Sequence, residues 1–309
     1  MPPRVATAIV IVSFNTRDLL TRCLHAVRAA TQDLVVEIVV VDNASIDGSA
    51  QAAREAAPNA TVVALEKNVG FARACNTGVA QTSSDYVLLL NPDTEMAPGC
   101  LGALLECHAR NPDAGVIGGR TVDETGALDP HSCWGLPSLR SLFCFASGLS
   151  TVFAENRLLD PESLGSWARD EEREVGVVTG CLLLCSRTLW NRLGGMDPTY
   201  FVYGEDVDFS FRARRLGYRP RITPGAEIVH VRGSASATSA AKWNMILRGK
   251  VTFMRRNWGP VRSRLGVALL LFGAGLRAAA AHLHLPVAGP WRENWRDRHS
   301  WLAGWTPEA

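Results

Sequence analysis

The stretch Tyr86-Val87-Leu88-Leu89-Leu90-Asn91-Pro92-Asp93 best predicts the fold of this chain. Its run of five apolar residues is typical of a strand buried on both faces. Pro92 has no amide hydrogen to donate and restricts Asn91 to an extended conformation, so we expect the strand to end there. Asp93 would then lie at the carboxyl edge of the strand, where open α/β sheets bind ligands. Asn-Pro-Asp is also an ordinary turn sequence, and alone it leaves a structural and a functional role equally open.

Apolar runs alternate with helical patterns on both sides of this stretch. Thr16 is expected to cap the first helix. Strands are predicted over 8–12, 37–42, 61–65, 115–119 and 226–231, and helices over 18–30, up to 57, after 71, over 102–110 and from 209 to 216. Residues 175–184 are expected to return to the core. Residues 123–175 are expected to form an irregular, partly mobile excursion that lines an acceptor site. The alternation predicts an α/β fold, a doubly wound and mostly parallel sheet with flanking helices.

The composition suits a globular chain with two different surfaces. Its 309 residues are 47% hydrophobic and 20% charged, which excludes disordered and fibrous classes. Eight cysteines without a paired CxxC motif, and no recognisable signal peptide, predict reduced thiols in a cytosolic chain. The net charge of +2 conceals a split, because residues 228–309 carry twelve Lys or Arg against three Asp or Glu. An acidic body with a basic tail suggests two kinds of partner.

The basic tail, residues 236–309, is predicted to lie on a membrane beside a globular domain formed by residues 1–235. Its uncharged run over 265–276 is too short to span a bilayer, which needs about 20 residues, unless Arg277 is carried inside. An interfacial helix with cationic residues on anionic headgroups fits better. Four tryptophans would suit the interfacial belt: Trp291, Trp295, Trp301 and Trp305. A helix packed on the globular domain is the alternative, and a nucleic-acid surface is disfavoured.

Polar residues follow several predicted strands and could converge. Asp42 ends an apolar strand, where a carboxylate is costly unless a ligand or hydrogen bonds compensate it. It could accept a hydrogen bond from a base or ribose, or cap the following turn. Asn68 tolerates a positive φ and Gly70 permits close backbone approach, although a plain tight turn explains both equally well. The chain lacks GxGxxG after its first strand and GxxxxGK[ST] anywhere, which disfavours dinucleotide and P-loop sites.

Two acidic positions predict a metal and a base. A divalent ion, Mg²⁺ or Mn²⁺, could be held by Asp93 together with substrate phosphates. His230 at a strand end could add a nitrogen ligand and favour Mn²⁺, or it could be an ordinary core histidine. Glu205, Asp206 and Asp208 stand just before a helix, and the partial positive charge of a helix N-terminus stabilises carboxylates. Because three carboxylates repel one another, at least one of them is expected to face a cation, an arginine or a substrate hydroxyl. A general base that deprotonates an acceptor hydroxyl is the sharper of these interpretations.

Six short motifs occur in the order found in glycosyltransferase family 2, and the chain resembles its rhamnosyltransferase-like branch of bacterial cell-surface polysaccharide enzymes over about residues 6–260. The motifs are Val12-Ser13-Phe14-Asn15, Val41-Asp42-Asn43-Ala44-Ser45, Asn68-Val69-Gly70-Phe71-Ala72, Leu90-Asn91-Pro92-Asp93, Thr179-Gly180 and Tyr203-Gly204-Glu205-Asp206-Val207-Asp208. The resemblance implies a GT-A fold and inverting transfer from a nucleotide-sugar.

The resemblance also implies residue roles. Asp206 would be the base, with Glu205 as the alternative if the register differs by one. Asp93 and His230 would bind the metal, Mn²⁺ or Mg²⁺, and Asn91 replaces the first carboxylate of the family's Asp-x-Asp motif. The nucleotide-sugar would contact Ser13, Asn15, Asp42, Asn68, Gly70, Arg73, Asn76, Asn91 and Asp93. Donor and acceptor would be positioned by Thr179, Gly180, Asp208 and Arg212.

The implied partners are a nucleoside-diphosphate sugar, with dTDP-rhamnose the best match, and a glycan acceptor on a polyprenyl diphosphate at the cytoplasmic membrane surface. UDP- or GDP-sugars with galactofuranosyl, glucosyl or mannosyl transfer are alternative donors. A catalytically silent sugar-nucleotide-binding scaffold is the rival from another class. A nucleotidyltransferase is disfavoured because no Gly-rich loop with Lys or Arg follows the first strand.

Overall fold

The computed structural model describes residues 6–231, 239–285 and 289–306. Its strands are β1 (Thr7–Ser13), β2 (Val36–Asp42), β3 (Thr61–Ala64), β4 (Tyr86–Leu90), β5 (Thr94–Met96), β6 (Val116–Val122), β7 (Cys133–Trp134), β8 (Arg173–Glu174), β9 (Val177–Val178), β10 (Leu182–Ser186) and β11 (Arg221–His230). Its α-helices are α1 (Arg17–Ala30), α2 (Ser49–Ala56), α3 (Phe71–Val79), α4 (Cys100–Arg110), α5 (Leu139–Ala146), α6 (Leu149–Val152), α7 (Arg187–Leu193), α8 (Glu205–Arg215), α9 (Ala240–Asn257), α10 (Pro260–His282), α11 (Trp291–Arg296) and α12 (Arg298–Leu302). A 3₁₀ turn covers Pro130–Ser132.

Nine strands form one sheet in the order β3-β2-β1-β4-β10-β6-β11-β5, with β8 added on β11. The first half is parallel, as the strand and helix alternation predicts, and β10 then runs antiparallel between β4 and β6. The strand β4 ends at Leu90, and the Asn91 amide donates to the Cys181 carbonyl oxygen instead of continuing the ladder with β1. The predicted strand end at Asn-Pro-Asp is therefore confirmed.

Helices cover both faces of the sheet. Along β1, Ile9 and Ile11 pack with α1 and α4 on one face, whereas Val10 and Val12 pack with α3 and α8 on the other. Residues that alternate along a strand point to opposite faces, so a strand that is buried on both faces is apolar throughout. All eight cysteines are free, and seven of them are buried.

Several predicted boundaries were wrong by a few residues. The side chain of Thr16 makes no cap hydrogen bond, because its hydroxyl pairs with that of Ser13 at 2.9 Å. The strand predicted at 115–119 extends to Val122, and the last strand begins at Arg221 with an irregularity between Thr223 and Glu227. The 123–175 excursion was expected to be irregular, but it contains α5.

The helix α5 escaped prediction because its N-terminal signal is unusual. The Ser138 hydroxyl accepts a hydrogen bond from the Ser141 amide, and the Ser141 hydroxyl accepts one from the Ser138 amide. The usual capping box has Glu or Gln in the second position, so a serine pair does not stand out in the sequence.

The C-terminal helices pack on the sheet-bearing part of the chain and form a third apolar cluster. Leu142 of α5 and Phe211 of α8 contact this cluster, which includes Leu247, Phe253 and Leu270. At Gly249, a Cβ atom would overlap the Tyr203 carbonyl oxygen, so α9 crosses the backbone immediately before α8. Packing on the globular part, the alternative interpretation of the tail, is thus observed. The predicted domain boundary at 235 and 236 lies outside the described residues.

Two of the four tryptophans expected at a membrane interface are buried. Trp291 and Trp301 are 3% and 0% exposed, and Trp295 and Trp305 are half-buried. These indole rings fill the spaces between the C-terminal helices. The prediction of a tryptophan belt is therefore wrong for Trp291 and Trp301.

The helix α10 has one protein-facing side and one open side. Arg277 is turned inward, where its guanidinium donates to the Phe145 and Gly273 carbonyl oxygens and to the Thr151 hydroxyl. Burial lowers the pKa of Arg277. Among the described helices, α10 alone has the length and apolar composition to cross a bilayer, and 33% of its most apolar window is buried.

Candidate active site

The carboxyl ends of β1, β2 and β4 meet at one edge of the sheet because these strands are parallel. Ser13 and Asp42 are direct neighbours in the register of β1 and β2. Asp93 follows β4, and His230 at the end of β11 pairs with Thr94 of β5. The fold therefore gathers at this edge polar residues that are far apart in the sequence.

Asp42 is buried with an unsatisfied carboxylate oxygen. Asp42 is only 4% exposed, and its Oδ2 accepts a hydrogen bond from the Ser45 amide at 3.3 Å. Its Oδ1 has no hydrogen-bond partner within the described residues. The turn-capping role is thus observed, but it occupies one oxygen only. A buried carboxylate oxygen without a donor is costly, so this atom fits a ligand that brings its own donor.

Asn43 was not singled out from the sequence, yet it joins three loops at this edge. Its amide donates to the Ser13 carbonyl oxygen, and its side chain donates to Asn68 Oδ1 and accepts from the Val69 amide. Asn68 Oδ1 also accepts from the Gly70 amide at 2.9 Å. Its position directly after Asp42 is the only signal in the sequence.

Gly70 permits a close backbone approach, as its residue type predicts, but the group that approaches it is the backbone of Phe201. It has a φ of +83°, and a Cβ atom there would overlap the Phe201 carbonyl oxygen. The next amide, that of Phe71, donates to this same carbonyl at 2.6 Å. The positive φ and the close contact together require glycine.

Four other residues predicted to contact the nucleotide-sugar have partners inside the protein. Ser13 is fully buried against Thr16, and Asn15 joins two loops through Ser45 Oγ and the Ile46 amide. The remaining two lie on α3 and hold the 196–198 loop: Arg73 donates to the Pro198 carbonyl oxygen, and Asn76 both donates to and accepts from the Met196 backbone. These contacts describe support for the edge, and nucleotide contact by these residues stays a prediction.

Asp93, His230 and Asp129 form a continuous line. His230 Nε2 lies 3.2 Å from Asp93 Oδ2, and His230 Nδ1 lies 3.1 Å from Asp129 Oδ2. Hydrogen bonds to Asp129 and Asp93 raise the pKa of His230 to about 9. Burial opposes ionisation of Asp129, but hydrogen bonds from His131 and His230 outweigh it and hold its pKa well below the usual range. The sequence analysis missed Asp129, which lies in the 123–175 excursion.

The chemistry of Asp93 and His230 fits a divalent cation. Asp93 Oδ1 is buried without a hydrogen-bond partner in the described ranges. A carboxylate oxygen and an imidazole nitrogen suit Mn²⁺, and the carboxylate alone suits Mg²⁺. Over the part of the chain that the structure describes, no group of three or more His, Cys, Asp or Glu side chains could hold a metal ion. An ion here would need further ligands from water and from a bound diphosphate.

Asp206 and Glu205 differ in where they point. Asp206 is half-buried, and its Oδ2 accepts a hydrogen bond from the Gly180 amide at 3.3 Å. Burial raises the pKa of Asp206. Glu205 is only 6% exposed, its Oε2 is unpaired within the described residues, and burial followed by the charge of Asp206 raises its pKa to about 8. Burial therefore favours the neutral acid form of Glu205, whereas the hydrogen bond from the Gly180 amide favours the carboxylate form of Asp206.

Thr179 positions the loop that carries Gly180. The Thr179 amide and hydroxyl both donate to the Ser132 carbonyl oxygen, each at 3.2 Å. Because Ser132 follows Asp129 in the same 3₁₀ turn, the line that begins at Asp93 continues through this loop to Asp206. Hydrogen bonds, together with the backbone segments 129–132 and 179–180, thus join the candidate metal ligands to the candidate base.

Asp208 and Arg212 are committed to holding helices together. Arg212 Nε donates to Asp208 Oδ2 at 2.6 Å, and its other nitrogens donate to the Leu193 and Gly195 carbonyl oxygens. Asn257 of α9 donates to Asp208 Oδ1. Asp208 is 1% exposed, so the pair orients α8, whereas positioning of donor or acceptor by these two residues stays a prediction.

Residues 8–154 match the model of the Glycosyl transferase family 2. An N-acetylglucosaminyl-diphospho-decaprenol L-rhamnosyltransferase of Mycobacterium tuberculosis is 30% identical over 251 residues, which cover 75% of this chain and 78% of that protein. The chain belongs to glycosyltransferase family 2. The chain is accordingly a glycosyltransferase, and the family predicted from the six motifs is confirmed.

Solved glycosyltransferases share the architecture of this family 2 chain. A mannosyltransferase from Pyrobaculum calidifontis in complex with GDP-Man and Mn²⁺ is similar with a TM-score of 0.57 and 19% identity, over 96% of this chain and 85% of the other. GalNAc-T7 with UDP, GalNAc and Mn²⁺ gives a TM-score of 0.60 and 15% identity, over 97% and 55% of the two chains. The predicted GT-A fold is confirmed.

Proposed function

We propose that this glycosyltransferase moves a hexose, L-rhamnose from dTDP-rhamnose as the best candidate, to a hydroxyl of a polyprenyl-diphosphate-linked glycan with inversion at the anomeric carbon. The observation that carries the proposal is that Asp93, which contacts His230, and Asp206, which accepts from Gly180, both lie close enough to the buried Cys181 thiol for their charges to raise its pKa. The similarity to an L-rhamnosyltransferase named for a decaprenol-linked substrate supports this choice of donor and acceptor. The reaction would belong to bacterial cell-envelope glycan synthesis.

Asp206 is the proposed general base. Its carboxylate would accept the proton of the acceptor hydroxyl while that oxygen bonds to the anomeric carbon and the bond from this carbon to the nucleoside diphosphate breaks. Burial raises the pKa of Asp206, which makes it a stronger base than an exposed aspartate. The Gly180 amide holds Oδ2 in place, and burial raises the pKa of Glu205, which reduces the competing negative charge beside Asp206.

Asp93 and His230 would hold the divalent ion, Mn²⁺ or Mg²⁺. When bound, such an ion supplies positive charge that stabilises the leaving diphosphate. Asp42 Oδ1, the unpaired oxygen, would accept a hydrogen bond from the nucleotide base or ribose. Asn43 would keep that subsite in shape through Asn68, because it joins the loops that follow the first three strands.

The open side of α10 supports placement of the enzyme on the inner face of the cell membrane. Val261, Leu265, Phe272 and Leu276 are 77%, 50%, 59% and 46% exposed. Their spacing of four or seven residues puts them on one stripe of the helix. The exposed residues Arg262 and Arg264 stand beside this stripe, where they could meet anionic headgroups. Peripheral association would bring the enzyme to a lipid-linked acceptor.

The alternatives differ in the donor or in chemistry. UDP- and GDP-sugars, with galactofuranosyl, glucosyl or mannosyl transfer, use the same kind of site. A silent scaffold that only binds sugar-nucleotides would not need a pKa-shifted Asp206 next to an ordered amide. The observed geometry favours the enzyme.

The test compares wild type with Asp206→Asn and with Glu124→Gln, a surface change that also removes one negative charge. A thermal-shift panel of dTDP-rhamnose, UDP-glucose, UDP-galactofuranose and GDP-mannose, with and without Mn²⁺, identifies the donor. Transfer to a polyprenyl-diphosphate glycan should then fall about 10²–10⁴-fold in Asp206→Asn while the donor still raises its melting temperature. Transfer by Asp206→Asn at the wild-type rate would refute the base assignment. Absence of stabilisation by any nucleotide-sugar would refute the proposed activity.

A further inference from the structure

Asp129 is the most deeply buried acidic residue near the candidate metal ligands. Its residue is 2% exposed, and both of its carboxylate oxygens are engaged. Oδ1 accepts from the His131 amide at 3.1 Å and contacts the His131 ring, while Oδ2 faces His230 Nδ1 at 3.1 Å. The Asp129 amide donates to the Thr121 carbonyl oxygen of β6. Backbone and side chain are therefore both held, so Asp129 presents a fixed acceptor to His230.

Asp93, on the other side of the His230 ring, is less constrained. Its side chain is 33% exposed, against 1% for that of Asp129 and 23% for that of His230. Asp93 Oδ1 makes no hydrogen bond within the described residues. The imidazole thus lies between one carboxylate that is fixed and one that is free to take another partner.

We propose that Asp129 is a positioning residue that holds a proton on His230 Nδ1, so that a divalent cation which displaces the proton from Nε2 binds the Nε2 lone pair. A neutral imidazole has one donor and one acceptor nitrogen, and the hydrogen bond at one of them decides which is which. A lone pair on Nδ1 would face the fixed Asp129 carboxylate, so the proton stays on Nδ1. Nε2, the nitrogen on the Asp93 side, is then the metal-binding atom.

The inference rests on the proposed metal site of Asp93 and His230 and deepens it. Outer carboxylates that orient a metal-bound histidine raise metal affinity by about 10–100-fold in other proteins. Asp129 also fixes the start of the turn whose Ser132 carbonyl oxygen accepts from Thr179. Replacement of Asp129 is therefore expected to weaken metal binding most, and to disturb the loop that carries Thr179 and Gly180 to a smaller extent.

The test measures Mn²⁺ binding directly. MnCl₂ is titrated into the full chain, alone and with dTDP, UDP or GDP, and free Mn²⁺ is followed by electron paramagnetic resonance. Asp129→Ala should raise the Kd for Mn²⁺ about 10–100-fold, and Asp129→Asn, which keeps an oxygen acceptor for Nδ1–H, should lose less. Glu124→Gln, five residues away and exposed in a surface ion pair with Arg22, is the matched control and should bind as wild type does. His230→Ala marks the full loss of the nitrogen ligand.

A second measurement reports the proton itself. With Mg²⁺ and nucleotide bound, ¹⁵N-histidine NMR should show the His230 proton on Nδ1 in wild type and a change in this pattern in Asp129→Asn. The asparagine variant also keeps the test possible if Asp129→Ala does not fold. Wild-type Mn²⁺ affinity in folded Asp129→Ala and Asp129→Asn, with a loss in His230→Ala, would overturn the role of Asp129 while the metal site stands. If wild type binds no Mn²⁺ under any of these conditions, the metal site fails and the inference fails with it.

Discussion

Replacement of Glu205 by glutamine should make the protein more stable at high pH and remove part of the pH dependence of its stability. Glu205 is buried, and its pKa rises from 4.5 to about 8 in the folded chain because burial and then Asp206 disfavour its charge. The folded state keeps the proton between these two values, whereas the unfolded state releases it. Stability is therefore present in full below pH 4.5 and is lost as the pH rises toward 8.

The size of the effect follows from the pKa difference. Each pKa unit corresponds to about 1.36 kcal/mol, so the shift amounts to roughly 5 kcal/mol of unfolding free energy over the whole window. Glutamine resembles the neutral acid and does not ionise. Its extra N–H donor adds a penalty that does not vary with pH, so the slope rather than the absolute stability reports on Glu205.

Urea unfolding followed by tryptophan fluorescence at pH 5, 6, 7 and 8 measures this slope. The difference in unfolding free energy between Glu205→Gln and wild type should move in favour of the variant at each step, by a few kcal/mol in total. Glu106→Gln, whose side chain is 75% exposed, is the matched control and should parallel wild type. Parallel curves for Glu205→Gln and wild type, or a variant that loses ground as the pH rises, would show that Glu205 is ionised in the folded protein.

Two further predictions concern the C-terminal helices. Gly249→Ala places a Cβ atom on the Tyr203 carbonyl oxygen and should lower both the melting temperature and the transfer rate. Gly259→Ala, where a Cβ atom meets nothing within 4 Å, is the control and should change neither. If the two variants behaved alike in a melting assay and a transfer assay, this prediction would be wrong. The double substitution Leu265→Ser and Phe272→Ser should reduce sedimentation with vesicles of anionic phospholipid several-fold without a change in melting temperature, because both side chains are half or more exposed. Undiminished sedimentation would show that this stripe is not the membrane contact.

Local signals in the sequence were sufficient for the fold and for the strand-end residues. The end of β4 follows from Pro92, because the loss of an amide donor is a property of one residue. The position of Asp42 at the end of β2 follows from the apolar run before it. Such features need no knowledge of distant partners, and they are correct in the structure.

The partners of these residues could not be predicted, because they depend on contacts between distant segments. Asp129 and His230 are 101 residues apart, and Asp93 and His230 are 137 apart. Many acidic residues lie at comparable separations, and only the pairing of β6 with β11 selects Asp129. The packing roles of Asp208 and Arg212 were equally hidden in the sequence, because their partners Asn257, Leu193 and Gly195 lie on other elements.

The helix α9 packs between the proposed base, on α8, and the proposed membrane contact, on α10. Asp206 lies on the first turn of α8, and the backbone just before that turn touches Gly249 of α9. The helix α10, which bears the exposed apolar stripe, packs on α9 and α5 in the same apolar cluster. A membrane in contact with α10 would therefore contact the same helix cluster that positions Asp206, the proposed base. Packed helices, and not a flexible connection, would then set the distance between Asp206 and a lipid-linked acceptor. Because these helices pack as one cluster, removal of the tail should also disturb the Asp206 loop and should not yield an intact soluble catalytic domain.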